Sequence, residues 1–158
     1  MWAPIGQQAC VPITGDHDRR ILTGVMNIRT GDYLDFASAE FHQEHFQHIL
    51  REIRRHWRGW QIVLFVDRNT PHKAGASRRL ARELNIQLRW LPQACSELNV
   101  MDQLWRHVKD LIAANEPTPN VFATVQRARH EIRRMTPKER LRKAGILSED
   151  FWLADVLS

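Results

Sequence analysis

"WQIVLFVD", residues 60–67, is a continuous apolar run, short for a helix, rich in β-branched and aromatic side chains, and it ends on an aspartate. Such a run suits a strand covered on both faces, central and parallel in its sheet. A helix at roughly 74–84 follows, then a second short strand, "IQLRWL" at 86–91, which Pro92 ends. Strand, helix and strand in that order make a βαβ unit and an α/β fold. Asp67 therefore stands at the C-terminal end of a central strand, the edge where open α/β sheets expose their ligand sites.

The flanking elements follow from the same periodicities. Upstream, "RRILTGVMNIRTGDYLDFASA" (19–39) reads as a β-hairpin turning at Thr30-Gly31-Asp32, with Ile21, Thr23, Val25 and then Tyr33, Asp35 in alternation. From about Glu40 to Trp57, residues Phe46, Ile49, Leu50, Ile53 and Trp57 recur at helical spacing, and Gly59 is the stop. Downstream, after the loop "PQACSE", Leu98, Met101, Leu104, Trp105, Val108, Leu111 and Ile112 trace one helix face, which "NEPTPN" (115–120) breaks with two prolines. A helix over 120–135, a shorter one over 137–143 capped by Thr136-Pro137, and a last turn in "SEDFWLADVLS" packed through Phe151, Trp152 and Leu153 complete the prediction.

A length of 158 residues with 43% apolar composition suits a single domain spanning 1–158. Cys10 and Cys95 form neither a C-x-x-C pair nor a zinc-ligand spacing, so a reducing, cytoplasmic setting fits. No run approaches the length of a membrane span. Net charge is +5, with 7 basic and 7 acidic side chains in residues 1–60 against 16 and 11 in residues 61–158. Eight Arg or Lys fall in 127–143 beside Glu131 and Glu139, a cluster able to neutralise phosphates or simply to form a solvated helix face.

Asp102 is the second acid that breaks a pattern. It lies on the helix after the Asn99 turn, with Arg106 and Lys109 four and seven positions on, all along one flank of the apolar stripe. An acid beside two bases could hold a cation next to a phosphate backbone, since hard divalent ions take a few carboxylates plus water and phosphate oxygens. Alone, each signal is weak: an acid like Asp67 is more often a cap or turn residue than a ligand, and one like Asp102 is most often an i,i+4 partner, here of Arg106.

Together with their surroundings, the two blocks resemble a known family. "VLFVDRNTPHK" resembles the second-aspartate block of the DDE transposases of the IS630/Tc1/mariner superfamily, and "LPQACSELNVMDQLWRHVK" resembles their third block. The positions that match are Asp67, Asn69, His72, Leu91, Pro92, Glu97, Leu98, Asn99, Asp102, Trp105 and Lys109, and 34 residues separate Asp67 from Asp102. The resemblance implies an RNase H-like mixed sheet flanked by helices and a metal-dependent endonuclease and strand-transfer core acting on DNA in transposition of a mobile element. Asp67 and Asp102 would be the second and third carboxylates, binding Mg²⁺ or Mn²⁺, with Asn69, His72, Glu97, Asn99 and Trp105 in support. Lys73, Arg78, Arg79, Arg106, Lys109, Arg127, Arg133 and Arg134 are the expected DNA contacts.

The departures are as informative. Val100 and Ala94-Cys95 replace residues common in the family and touch loop shape. The family's first aspartate ends a first strand for which this chain begins too late; Asp16, Asp18, Asp32 and Asp35 lie on or beside the hairpin and are not expected to substitute. The first strand is thus expected to be missing, leaving a gap to be filled by the segment around Cys10-Val11-Pro12-Ile13, by a strand-swapped homodimer or by a rearranged sheet. Metal binding should be weak and cleavage by the chain alone slight. A non-catalytic DNA-binding or assembly module and a folded but functionless remnant are the rival readings. His42, His45 and His48, spaced by three, drift around their helix and are expected to be solvated rather than metal ligands.

Overall fold

A computed structural model describes residues 2–15, 18–93, 98–114 and 120–157. The hairpin signal is realised as β2 (Asp18–Asn27) and β3 (Tyr33–Ser38), paired antiparallel from Ile21↔Ser38 to Met26↔Tyr33. Asn27 makes the turn: its side-chain oxygen accepts from the backbone N of Arg29 at 2.9 Å, and Gly31 adopts φ +80°. α1 (Gln43–His56) buries Phe46, Ile49, Leu50 and Ile53 at the predicted spacing. The buried Trp57 follows it, and Gly59 at φ +80° turns the chain into β4.

β4 (Gln61–Val66) and β5 (Ile86–Trp90) are parallel, in register from Ile62↔Ile86 to Val66↔Trp90. Between them lie a single turn, α2 (Thr70–Lys73), that the sequence did not announce, and α3 (Gly75–Glu83). Arg54 ties the ends of α1 and α3 together by donating to the carbonyls of Trp57, Trp60 and Leu84. α4 (Val100–Ala113), α5 (Val121–Arg133), α6 (Pro137–Lys143) and α7 (Ala154–Leu157) complete the chain. Asn99, Asn120 and Thr136 cap α4, α5 and α6 by accepting from the backbone N of Met101, Ala123 and Glu139. Expectations that fall on Ala94–Glu97 and on 115–119, including the support role of Glu97 and the proline break, lie outside the described residues.

The sheet order is β3-β2-β1-β4-β5. The central place, where the sequence led us to expect a gap, is taken by β1 (Trp2–Gly15) of the same chain. β1 pairs parallel with β4 from Trp2↔Gln61 to Gly6↔Phe65, and antiparallel with β2 from Ile5↔Asn27 to Gly15↔Asp18, with an irregularity between Gln8 and Val11. Of the three fillings considered, it is the chain's own N-terminal segment that closes the sheet, and it extends well beyond Cys10–Ile13. Pro12 falls past the end of the β4 ladder, on the part of β1 where its missing N–H interrupts no second partner.

Two apolar layers sandwich this sheet. On one face Val25, Ile62, Leu64, Val66 and Ile86 pack against Phe46, Ile49, Leu50 and Ile53 of α1 and Ala81 of α3. On the other, Leu22, Met26 and Ile28 meet Met101, Leu104, Trp105 and Val108 of α4, Ala128 and Ile132 of α5, and Leu141 of α6. Gly24 sets how closely α4 approaches. A Cβ there would lie 2.5 Å from Met101 Cε and 3.0 Å from Trp105 Cζ2, so the absent side chain lets the helix sit directly on β2. The tail predicted to pack through its aromatics does so: Trp152 meets Phe65 edge to face at 5.4 Å and donates from Nε1 to the Leu98 carbonyl at 2.9 Å.

Candidate active site

Asp67 is the first residue past β4, and the chain there is pinned by the Leu91 N–H donating to the Val66 carbonyl at 2.8 Å. Its carboxylate is about one-third exposed, with side-chain exposure of 35%. Oδ1 accepts from the Asn69 backbone N at 3.0 Å and from His72 Nδ1 at 2.8 Å, while among the described residues Oδ2 meets only the Asn69 side-chain amide, at 3.5 Å. Asn69 and His72 thus both hydrogen-bond the Asp67 carboxylate.

Asp102 occupies the first turn of α4, where its backbone N donates to the Asn99 carbonyl at 3.1 Å. Asn99 is buried and Trp105 fills the space over Gly24, so both act by placing the helix that carries Asp102. The Asp102 carboxyl is held above the usual aspartate value, first by burial and then by the charge of Asp67, with Arg106 and Lys109 pulling the other way. Asp67 and Asp102, from separate elements, thus lie near enough for the charge of Asp67 to act on Asp102. That is the condition in which a hard divalent cation stabilises both. No group of three or more His, Cys, Asp or Glu side chains able to hold a metal occurs among the described residues. Continuing the β1–β4 register two residues past Gly6↔Phe65 sets Gln8, not an acid, in the row of Asp67.

The cations are less free than the sequence suggested. Arg133 donates from Nε and a terminal nitrogen to Asp35 at 3.1 and 2.5 Å, and Arg129 donates to the same buried carboxylate at 2.7 Å. Arg134 pairs with Glu131 at 3.0 Å, and Arg140 is buried, donating to the carbonyls of Gly31, Ile132 and Met135. Three of the eight basic residues, Arg129, Arg133 and Arg140, are therefore occupied in holding α5 and α6 to the hairpin, and a fourth, Arg134, is paired within α5. Arg127 lies half-buried on α5. Lys73 at the end of α2, Arg78 and Arg79 on the outer face of α3, and Arg106 and Lys109 beside Asp102 are exposed. Spacing of Arg129 and Arg133 by four was the available signal for the Asp35 clamp, though nothing local named their partner.

The histidine expectation needs correction in one place. His42 is exposed against Glu40, and His48 is exposed against Phe36, but His45 is half-buried edge-on to Phe41 at 5.6 Å. Burial, and then His48, lower its pKa. A groove of about 1270 Å³ opens between Trp60, Val63, Phe65, Arg89 and Leu153 and is lined by neither carboxylate. Asp67 and Asp102 are both half-buried.

The family model of the DDE superfamily endonucleases matches residues 1–125. No curated protein sequence matches. Among solved structures, the Mos1 transposase catalytic domain with raltegravir and Mg superposes with a TM-score of 0.74 at 12% identity, over 93% of this chain and 79% of that one. The catalytic core domain of BIV integrase superposes at 0.61 and 15% identity, over 90% and 95% of the two chains. The Mos1 paired-end complex with the left transposon end gives 0.69 at 11% identity, over 94% of this chain and 52% of that one. Asp67 and Asp102 therefore stand in an RNase H-like frame shared with transposase and integrase cores, and the chain belongs to the DDE superfamily endonucleases.

Proposed function

We propose that this chain is a transposase-type DDE core that binds DNA and holds a divalent cation, Mg²⁺ or Mn²⁺, weakly between Asp67 and Asp102. The observation that carries this reading is the charge of Asp67, just past β4, acting on the half-buried carboxylate of Asp102 on α4 in a chain of this family. When bound, such ions supply activation of an attacking oxygen and stabilisation of a leaving one in phosphoryl transfer. The chain's own residues do the rest: Asn69 and His72 orient Asp67, Asn99 and Trp105 seat Asp102, and Arg106 and Lys109 lie where a phosphate backbone would meet that flank.

With two carboxylates and no third in the row of Asp67, cleavage by this chain alone is expected to be slight. Supercoiled plasmid incubated with Mn²⁺ or Mg²⁺ and the chain should stay largely un-nicked; robust nicking lost in Asp67→Ala would show a complete site. Direct metal titration should show weak Mn²⁺ binding that Asp67→Ala and Asp102→Ala both abolish, and binding indifferent to both would refute the site.

A second reading, a DNA-binding or assembly module without catalysis, is favoured by the exposed Arg78 and Arg79 on α3 and Lys138, Arg142 and Lys143 on α6. It predicts duplex binding that survives Asp67→Ala. Each phosphate-contacting cation removed should reduce the slope of log K against log salt by about 0.9. Since Arg133 is committed to Asp35, its neutralisation should act chiefly on stability, and Arg78→Ala/Arg79→Ala chiefly on DNA affinity.

A further inference from the structure

His72 is fully buried, yet it belongs to a one-turn helix in a connection otherwise open to water. Its ring lies edge-on to Phe46 at 4.5 Å and to Phe41 at 5.4 Å, both contributed by the start of α1 and the loop before it. The backbone holds it as well, its N donating to the Asn69 carbonyl at 3.0 Å. Nδ1 points at Asp67 Oδ1 at 2.8 Å and lies 3.1 Å from the Asp67 carbonyl, whereas Nε2 is buried and meets no partner among the described residues.

That asymmetry selects a tautomer. An imidazole with its proton on Nδ1 donates to the carboxylate and leaves only an unused lone pair at Nε2; the opposite tautomer would set a lone pair against a carboxylate and strand an N–H in an apolar box. The aromatic walls leave the ring no room to turn away. Oδ1 of Asp67 is thereby occupied by two donors, and Oδ2 is the oxygen left, among the described residues, with only a 3.5 Å contact.

We infer that His72 is a positioning residue, a fixed Nδ1–H donor clamped by Phe41 and Phe46 that orients Asp67 so that Oδ2 is offered to a divalent cation. The inference rests on the metal reading proposed above. A partner that orients a metal-bound carboxylate changes affinity without touching the ion.

NMR of the metal-free, ¹⁵N-labelled chain should show a slowly exchanging imidazole Nδ1–H assigned to His72 that is lost or strongly shifted in Asp67→Ala. Its absence overturns the inference with no His72 variant required. Mn²⁺ is then titrated and followed by EPR. His72→Asn, which keeps an amide donor, should bind within about threefold of the parent, whereas His72→Phe, which fills the box without a donor, should bind about 10–100-fold more weakly. Equal weakening by both variants marks a packing role, and full affinity in His72→Phe marks no role; each overturns the inference. A parent that binds Mn²⁺ no better than Asp67→Ala, with the Nδ1–H present, instead refutes the metal reading, and the positioning role falls with it.

Discussion

Replacing Asp35 with alanine should lower the stability of the fold by about 3 kcal/mol. The carboxylate sits on β3 with its side chain 0% exposed, and Arg129 and Arg133 of α5 reach it across 94 and 98 residues of sequence. Removing one partner of a buried ion pair costs about 3–5 kcal/mol, because the charge left behind is neither paired nor hydrated. Here the charges left behind are not deeply buried: the Arg129 side chain is 23% exposed and that of Arg133 56%. Both can swing towards water, which puts the cost at the lower end of the range. For a chain of this size 1 kcal/mol is worth about 2–4 °C in melting temperature, so Asp35→Ala should melt about 6–12 °C below the parent. Urea unfolding followed by circular dichroism and tryptophan fluorescence gives the free energy directly. Arg133→Ala, removing a mostly exposed partner while Arg129 remains, should cost under about 1 kcal/mol. The reasoning is refuted if Asp35→Ala loses less than about 1 kcal/mol, or if Arg133→Ala costs as much as Asp35→Ala.

Three further outcomes are expected. Gly24→Ala places a methyl against Met101, Trp105 and Tyr33 and should destabilise by about 1–3 kcal/mol in the same urea assay; no change would mean α4 does not ride on β2 as described. Arg140→Lys keeps the charge but cannot fork across the carbonyls of Gly31, Ile132 and Met135, and should cost about 1–3 kcal/mol, whereas a neutral result would show those carbonyls finding water instead. For Asp102 the sign follows from its raised pKa: the folded state binds the proton more tightly than the unfolded, so the ionised group detracts from stability at neutral pH, and this disappears as pH falls through the raised value. Asp102→Asn should therefore melt above the metal-free parent at pH 7, the difference closing as pH approaches the ordinary aspartate value near about 3.9.

The βαβ unit, the hairpin and the long helices were legible because each buries one face, so periods of 2 and 3.6 are written into the apolar residues. β1 was not. "WAPIGQQACVPITG" alternates poorly and holds two prolines and two glycines; it is a strand because β2 and β4 pair with it, which is a property of the whole sheet. Asp67 and Asp102 could be picked out as acids in apolar settings. The depth of His72 could not, since a histidine two residues after Asn-Thr looks like any polar loop residue until Phe41 and Phe46 close over it. His45 was misjudged for the same reason, Phe41 covering a ring that helix geometry alone leaves wet. Charge counting could not show that Arg129, Arg133 and Arg140 reach partners in the hairpin, about a hundred residues away.

The central placing of β1 also carries a consequence for synthesis. Its antiparallel partner β2 emerges from the ribosome almost at once, but Gln61, which pairs with Trp2, follows it by 59 residues. At about 5–20 residues per second, the β4 side of β1 waits roughly 3–12 s for its partner. Throughout that interval the nascent chain presents an open strand edge, the kind of surface that templates pairing with another chain. Crowded translation on one messenger is then the circumstance in which this fold is most exposed to joining with a neighbour before it can close on itself.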